Sequence, residues 1–387
     1  MKKSFSKLAL LCLFALTTGC KNTNPDSVSE FKYDITMTEL TEPSWYDLVD
    51  SVSYITLKSP DGTAMGEIKQ LIVNDDRIYV LADGFYCFDM QGNCLFKQTS
   101  KGRARNEFMD ATSMSVSDGQ LFIFDRIQNK GLFFEARTGR YISTVTPASY
   151  TRSAYCAGDY IICRNTIPEE NDNARYSVYS KKSPNQFIAG LFQKKEHNSS
   201  IRGTDTWSND DGLFYTSYLR NLAWKIKGKE ITPFIKVNVP EDKTIPDHVI
   251  DDMIEKSRIS PENDNTDYIY GLSYITECDG FICGRLSDKH NFINFIYDKK
   301  TSNSTFFYNT QDVATWQLLP IYERPSTGYA DCIYTICTTD NIMFIKSLIG
   351  NVGEEPTREK FRKAYDVCNS VTENDYAIVA SIWFKEL

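Results

Sequence analysis

The sequence predicts an all-β fold, a six-bladed β-propeller of four-stranded antiparallel blades, and two observations predict it. Short apolar strands alternate with turns rich in Gly, Asp and Asn, which is the pattern of an antiparallel meander. A unit of four such strands then recurs, with 43 residues between the matching turn residues Asp75 and Asp118, a spacing typical of propeller blades. The aromatic content of 13% further favours strands.

The first two units show the repeat most clearly. The first contains four predicted strands, over residues 68–73, 77–82, 85–89 and 94–98. The second repeats this order with strands over residues 114–116, 121–125, 131–135 and 140–144. Such a unit cannot bury both of its apolar faces alone, so the repeat predicts blades that stack on one another.

Four weaker copies follow and bring the predicted blades to six. Their strands are expected over residues 160–164, 213–217, 222–226, 281–285, 291–298, 342–346 and 376–384. The spacing widens toward the C terminus, and apolar residues at helical spacing predict inserted helices over residues 247–258 and 357–368. An early strand, over residues 52–57, is expected to pair into the last blade and close the ring.

The N terminus has the layout of a bacterial lipoprotein signal. Three lysines precede an apolar run over residues 8–16, which is too short to span a bilayer. We expect cleavage before Cys20 and acylation of this cysteine, although Leu16 stands four residues before it where such signals usually carry Leu three before. The alternative is an ordinary secretory signal with an incidental cysteine.

These features divide the chain into a signal peptide over residues 1–19, the lipidated Cys20 with a tether over residues 20–44, and the propeller over residues 45–387. No second apolar stretch is long enough to span a membrane, so lipid alone is expected to hold the protein there. The residues after Cys20 contain no acidic run. We therefore expect the periplasmic side of a cell-envelope membrane rather than the cell surface.

Charge and cysteine usage exclude several partners. The net charge is −8, and removal of residues 1–19 with their three lysines makes it −11. No basic run stands out, so nucleic acid is not an expected partner. The chain has three histidines and no C-x-x-C motif, so neither a metal site nor a cofactor is predicted. The pairs Cys87/Cys94 and Cys156/Cys163 flank tight turns, where disulfides and small buried apolar side chains are both compatible with the sequence.

Motifs of common enzyme classes are missing from the sequence. It contains no G-x-S-x-G elbow, no P-loop and no G-x-G-x-x-G after a strand. His197, His248 and His290 lie far apart, and the paired carboxylates stand at turns, where turn chemistry explains them. The sequence therefore favours a protein that is not an enzyme.

One set of charged residues predicts a binding site. The predicted second strands of the blades end at Ala82, Asp125, Arg164, Ser217, Arg285 and Lys346. These strand ends lead into loops on one face of a propeller, and a blade-to-blade loop with two more arginines reaches the same face. The candidate ligand-binding residues are Asp125, Arg164, Arg285, Lys346, Arg103 and Arg105. Arginine binds carboxylate and sulfate groups bidentately, so an anionic ligand fits them; the alternative is that they are solvated strand ends or pair with a neighbouring blade.

Three tryptophans form a second candidate set: Trp207, Trp224 and Trp316. If exposed, they offer stacking platforms for sugars. If buried between blades, they belong to the core, which is the commoner position for large aromatic side chains.

The chain resembles the six-bladed β-propeller lipoproteins of anaerobic gut bacteria, which are grouped with TolB-like and NHL-type propellers. The resemblance covers nearly the whole mature chain and rests on the signal and on residues 48–57, 75–83, 88–92, 101–108 and 373–385. Family members carry a Gly-x-Gly-Pro-Gly-Glu-aromatic element. Gly102, Glu107 and Phe108 match it, whereas Ala104, Arg105 and Asn106 replace its Gly, Pro and Gly. The resemblance implies the fold but no chemistry, because propellers host many unrelated functions.

The sequence therefore predicts a lipid-anchored, extracytoplasmic binding module that holds a glycan or a protein partner on one propeller face. Two other functions stay open. One is a polysaccharide lyase or hydrolase that acts on an anionic glycan. The other is a structural subunit of an envelope assembly.

Overall fold

A computed structural model of the chain describes residues 30–43, 45–166, 174–193, 205–208, 212–217, 219–255, 267–289, 291–308, 325–338, 342, 366–367, 369–372 and 375–387. The N-terminal part of this region contains β1 (Tyr33–Thr36), β2 (Leu40–Thr41), the one-turn helix α1 (Trp45–Leu48) and β3 (Val49–Lys58). The rest forms six antiparallel sheets, in agreement with the predicted fold.

Blades one to three contain four strands each, and their hydrogen-bonded order follows the chain. Blade one comprises β4 (Gln70–Asn74), β5 (Arg77–Leu81), β6 (Phe85–Asp89) and β7 (Cys94–Gln98). Blade two comprises β8 (Ala111–Ser117), β9 (Gln120–Asp125), β10 (Lys130–Glu135) and β11 (Tyr141–Val145). Blade three comprises β12 (Thr151–Ala157), β13 (Tyr160–Asn165), β14 (Ala174–Ser180) and β15 (Phe187–Gln193).

Blades four to six recruit strands from the N terminus. Blade four comprises β16 (Asp205–Ser208), β17 (Gly212–Ser217), β18 (Leu222–Lys227) and β19 (Glu230–Asn238), and α2 (Asp247–Glu255) follows it. Blade five comprises β20 (Tyr270–Glu277), β21 (Phe281–Ser287), β22 (Phe292–Asp298) and β23 (Ser304–Phe307). Blade six comprises β24 (Ser326–Tyr329), β25 (Cys332–Thr338), β26 (Asp375–Phe384) and the early strand β3.

The ring closes as the sequence predicts. β3 pairs antiparallel with β26 and becomes the outer strand of blade six, with Leu57 opposite Ala377 and Val52 opposite Ile382. Leu57 is fully buried. One sheet thus joins both ends of the propeller, so unfolding of the last blade requires both ends of the chain to separate.

An N-terminal belt, residues 32–41, is a feature that the sequence analysis did not foresee. β1 pairs parallel with the outer strand of blade four, and β2 pairs parallel with the outer strand of blade five. Ile35 of β1 is only 1% exposed. The tether expected over residues 20–44 therefore includes folded strands, because the open edges of these sheets supply backbone partners that a local sequence pattern does not reveal.

The last blade corrects one predicted strand. Its second strand is β25, not residues 342–346; Ile342 is helical, and residues 343–350, with Lys346, lie outside the described residues. Both segments are apolar and follow a turn, and only the pairing of β25 with β26 distinguishes them. The helix predicted over residues 247–258 is present as α2. Most of the one predicted over residues 357–368 lies outside the described part of the chain.

Aromatic side chains fill the interfaces between blades. Phe85 and Phe134 join blades one and two with ring centroids 4.7 Å apart, and Tyr155 stacks on Trp207 between blades three and four at 5.8 Å. Trp207 and Trp224 are 5% and 0% exposed. Both belong to the core and offer no exposed platform for sugars, whereas Trp316 lies outside the described residues.

Serine side chains join the inner strands of blades two and three. The hydroxyl oxygens of Ser113, Ser115 and Ser117 accept the backbone N–H groups of Ala154, Cys156 and Gly158, respectively. The three N···O distances lie between 2.8 and 3.1 Å. Because these bonds satisfy the backbone of the inner strand in blade three, the two blades stay in close contact next to the propeller axis.

The cysteines of the described region are free thiols. Cys87 lies opposite Phe96 and Cys156 opposite Ile161 in their hairpins, so neither faces the cysteine that the sequence offered as its partner. Seven of the eight described thiols are buried and Cys94 is half-buried. These cysteines act as small apolar side chains. The described residues also include no helix long and apolar enough to cross a membrane.

Candidate functional site: the loop face

The two faces of the propeller differ in the length of their connections. Antiparallel order places the links between first and second strands, and between third and fourth strands, on one face, which we call the turn face. These links contain between two and six residues. The opposite face, the loop face, carries the remaining links, which reach 36 residues between β25 and β26. The loop face therefore holds almost all of the chain that is free to vary without disturbing the blades.

The best-defined part of the loop face is the arginine loop, residues 101–108, which joins blade one to blade two. The ammonium group of Lys130 donates hydrogen bonds to the carbonyl oxygens of Ala104 and Glu107, at 3.2 and 2.5 Å. Lys130 is 8% exposed, and burial lowers its pKa against the opposing effect of Asp125 and Glu107. The buried ammonium group of Lys130 thus stabilises the conformation of the arginine loop.

Two further side chains of blade two bind the same loop. Gln128 donates from Nε2 to the carbonyl oxygen of Gly102 at 3.0 Å, and the Thr144 hydroxyl donates to the carbonyl oxygen of Arg105 at 2.8 Å. A Cβ atom at Gly102 would lie 1.9 Å from a carboxylate oxygen of Glu107. A larger residue at position 102 would therefore require the Glu107 carboxylate to move.

Arg103 and Arg105 extend from this loop into solvent. Both side chains are exposed, and neither has an ion-pair partner among the residues that the structure describes. Hydrogen bonds hold the loop in place, and its two guanidinium groups are accessible to a ligand. This arrangement is suited to bidentate binding of carboxylate or sulfate groups.

Asp125 lies directly beneath the arginine loop and has a structural role. Its side chain is fully buried. The carboxylate accepts the backbone N–H groups of Met109, Ile127 and Gln128 at 2.7 to 3.2 Å, and also the Gln128 side-chain amide. These donors occupy both oxygens, so Asp125 orders two neighbouring loops.

The turn over residues 126–129 connects the arginine loop to the next blade. Asn129 donates to the carbonyl oxygens of Pro147 and Ser149 and accepts the N–H of Thr151, at 3.0 to 3.3 Å. These hydrogen bonds link two segments whose exposed residues the sequence analysis did not single out: Arg126, Ile127, Tyr150 and Arg152. Ile127 and Tyr150 are 56% and 49% exposed. In the sequence, the one feature that marks these four residues is that large side chains stand beside turn residues.

The other predicted residues lie elsewhere on the ring. Arg164 is the second-to-last residue of β13 in blade three and is half-buried. Arg285 of blade five is 7% exposed, with its guanidinium 3.2 Å from the ring centroid of Phe292 and 5.3 Å from that of Tyr274. Arg103 and Arg105 therefore lie on one loop, next to backbone that Asp125 binds, whereas Arg285 packs against aromatic rings in blade five.

The acid–base chemistry of the described region fits structural roles. Lys97 lies 2.7 Å from a carboxylate oxygen of Asp61, and this contact lowers the pKa of Asp61 far below its usual range. Burial raises the pKa of the Cys163 and Cys332 thiols to about 12, which makes them poor nucleophiles. Within the described residues no three His, Cys, Asp or Glu side chains are grouped so that they could hold a metal ion.

Comparison with known protein families identifies the chain. The sequence profile of DUF4934, a domain of unknown function, matches residues 30–380. The chain belongs to the DUF4934 family. The match begins at residue 30, so it includes the N-terminal belt as well as the blades. A search among curated proteins finds no match to the chain.

Comparison with solved structures gives one that supports the same fold. A Bacteroides fragilis protein described as exported superposes with a TM-score of 0.68 at 14% identity, over 92% of this chain and 99% of the other. Virginiamycin B lyase from Staphylococcus aureus (12% identity, 86% and 99% covered) and BamB from Moraxella catarrhalis (14%, 74% and 72%) have TM-scores of 0.41 and 0.35. Only the first is similar enough to support the six-bladed fold, and none carries information about the ligand of this chain.

Proposed function

We propose that this member of the DUF4934 family is a lipid-anchored, extracytoplasmic binding module whose partner docks on the loop face. The observation that carries the proposal is the difference between the faces. Every link on the turn face is short, whereas the loop face combines long links with a rigid loop that offers Arg103 and Arg105. Rigid scaffolds that support functional loops on one side are the common arrangement of binding proteins.

The position of the N-terminal belt supports an orientation for this module. The belt enters on the turn side, where Lys299, in a turn-face link, lies 5.7 Å from the Tyr33 ring centroid. A lipid on Cys20 then attaches the propeller through its turn side, and the loop face is directed away from the membrane. The lipoprotein signal at the N terminus and the exported relative from Bacteroides fragilis support a location outside the cytoplasm.

Photo-crosslinking in the envelope of the host bacterium tests the proposal. Benzoylphenylalanine is placed in the full chain at Arg103 or Tyr150 on the loop face, and at Arg137 or Arg140 on the turn face. This residue inserts into C–H bonds of any protein or glycan within reach. We expect adducts from the loop-face positions and none above background from the turn-face positions. Adducts only from the turn face, or none from any position, would contradict a binding role for the loop face.

A further inference from the structure

We propose that six residues on blades two and three form a docking site for an acidic protein segment that also carries apolar side chains. We call this site the arginine patch, and it comprises Arg103, Arg105, Arg126, Ile127, Tyr150 and Arg152. This inference rests on the proposed function, because it names the class of partner that the loop face receives.

Hydrogen bonds link the three chain segments that carry the arginine patch. Gln128 binds the carbonyl oxygen of Gly102 at 3.0 Å, which places the turn over residues 126–129 against the arginine loop. Asn129 binds the segment over residues 147–151 on its other side. These hydrogen bonds hold all three segments together. Because the segments are already ordered, binding of a partner loses little conformational entropy, which is the loss that weakens binding to mobile loops.

The charge of the patch is opposite to that of the whole chain. The segments 99–110, 126–129 and 146–152 contain five Arg and Lys residues and two carboxylic residues, in a chain of net charge −8. Both carboxylates are already engaged. Glu107 accepts the N–H of Ala104, and Asp110 pairs with Lys69 and Arg126. Arg103, Arg105 and Arg152 have no ion-pair partner among the described residues, so the patch attracts an acidic group.

The apolar side chains favour a protein over a glycan. Ile127 is 56% exposed and Tyr150 is 49% exposed, and in the chain Ile127 follows Arg126 and Tyr150 stands two residues before Arg152. A sugar ring stacks on a flat aromatic side chain, but the branched side chain of Ile127 offers no such surface. Arginine and tyrosine together, beside an exposed aliphatic side chain, are typical of the residues that dominate binding at protein interfaces.

Fluorescence anisotropy with synthetic probes tests this inference on the soluble chain that starts at residue 21. The probe is a labelled peptide of about twelve residues that alternates Glu with Leu and Phe, a length sufficient for an extended segment to cross one face. Two control peptides replace Glu by Gln, or Leu and Phe by Ser. Polygalacturonate serves as the anionic glycan.

We expect the acidic apolar peptide to bind about tenfold more tightly than either control peptide, since both charge and apolar contact contribute. The combined variant R103A/R105A/R152A should lose about tenfold or more in affinity, and I127S should lose several-fold. The matched control R137A/R140A removes two exposed arginines from the turn face and should bind as the unmodified chain does.

Two outcomes would overturn the inference. If polygalacturonate binds more tightly than the peptide and I127S has no effect, the patch recognises a glycan, while the proposed binding role of the loop face stands. If no probe distinguishes the unmodified chain from R103A/R105A/R152A, the patch is not a docking site for acidic segments. The photo-crosslinking result then decides separately whether the proposed function also fails.

Discussion

At the scale of single residues, the loop face depends on buried charged groups that bind loop backbone and the Gln128 side chain. Asp125 is 0% exposed and accepts backbone N–H groups, whereas Lys130 is 8% exposed and donates to backbone carbonyls. A buried charge is tolerated only where such partners replace water. The two residues bind different segments, so together they determine the shape of the surface that Arg103 and Arg105 share.

Replacement of Lys130 tests this arrangement. In Lys130→Met, the carbonyl oxygens of Ala104 and Glu107 lose a charged donor, and each lost bond costs about 1.5 to 3 kcal/mol. We expect amide exchange of Gly102, Ala104 and Glu107 to accelerate by about tenfold or more, measured by hydrogen–deuterium exchange, because the loop opens more readily. Lys101→Met removes an exposed lysine of the same loop and should leave exchange unchanged. Equal protection in both variants would show that Lys130 does not hold the loop.

The thiols provide a second test at this scale. Burial raises the pKa of Cys87, Cys163 and Cys332 to about 12 each. The thiolate is the reactive form, so iodoacetamide at pH 8 should leave these residues unmodified in the native protein. After denaturation it should label all three, which mass spectrometry of peptides resolves. A peptide mass corresponding to a Cys87–Cys94 or Cys156–Cys163 disulfide would contradict the free thiols of the structure.

At the scale of elements, the N-terminal belt protects sheet edges that would otherwise expose backbone groups. β1 covers the outer strand of blade four and β2 covers that of blade five. The pairing is anchored at its start, where the Tyr33 ring packs against Phe234 and Tyr297 with centroids 5.3 and 5.8 Å apart. The belt therefore belongs to the folded domain and contributes to its stability.

Substitution of Ile35 measures this contribution. Ile35→Ala removes a side chain that is 1% exposed, and we expect the free energy of unfolding to fall by about 2 to 4 kcal/mol, as for other large-to-small changes in a core. The matched variant Thr36→Ala changes an exposed residue of the same strand and should shift stability by less than about 0.5 kcal/mol. Chemical denaturation of the two variants provides the comparison. A similar small effect in both would mean that the belt packs loosely.

At the scale of the whole molecule, closure of the ring joins residues from opposite ends of the chain. β3 forms the outer strand of blade six beside β26, so the last blade is incomplete without residues 49–58. Ring closure removes the free edge that would otherwise pair with other chains. It also couples the blades into one unit around the loop face.

A truncated chain tests the role of closure. A chain that begins at residue 59 lacks β3 and exposes the edge of β26, including the buried residues Ile378 and Val379. We expect this chain to aggregate and to lack a cooperative thermal transition, as measured by size-exclusion chromatography and circular dichroism. A chain that begins at residue 45 also lacks the belt but retains β3, and it should stay monomeric. A monomeric chain from residue 59 with an unchanged melting temperature would show that closure is dispensable.

The sequence predicts the strands of this protein well wherever local pattern controls them. In blades one and two, the apolar alternation and the turns at Asp75 and Asp118 predict every strand to within three residues. The pattern does not identify the second strand of blade six, because β25 and residues 342–346 are both apolar and only the partners of β25 mark it as that strand. Local pattern also says nothing about β1, whose partner lies about two hundred residues away in the chain.

The residues of the candidate site likewise fall into those that the sequence predicts and those that only the tertiary structure reveals. The exposed charges of Arg103 and Arg105 and the loop that carries them are recognisable in the sequence, because a residue type and its place between two strands are local properties. Only the tertiary structure shows that Asp125 stabilises two loops and that Arg285 packs against Phe292. It also shows that the segments with Ile127, Tyr150 and Arg152 are linked by hydrogen bonds to the arginine loop. By itself, then, the sequence determined the repeat, the ring closure and the face that carries the loops. The tertiary structure decided which side chains share a surface, because burial and hydrogen bonding between blades depend on neighbours that are distant in the chain.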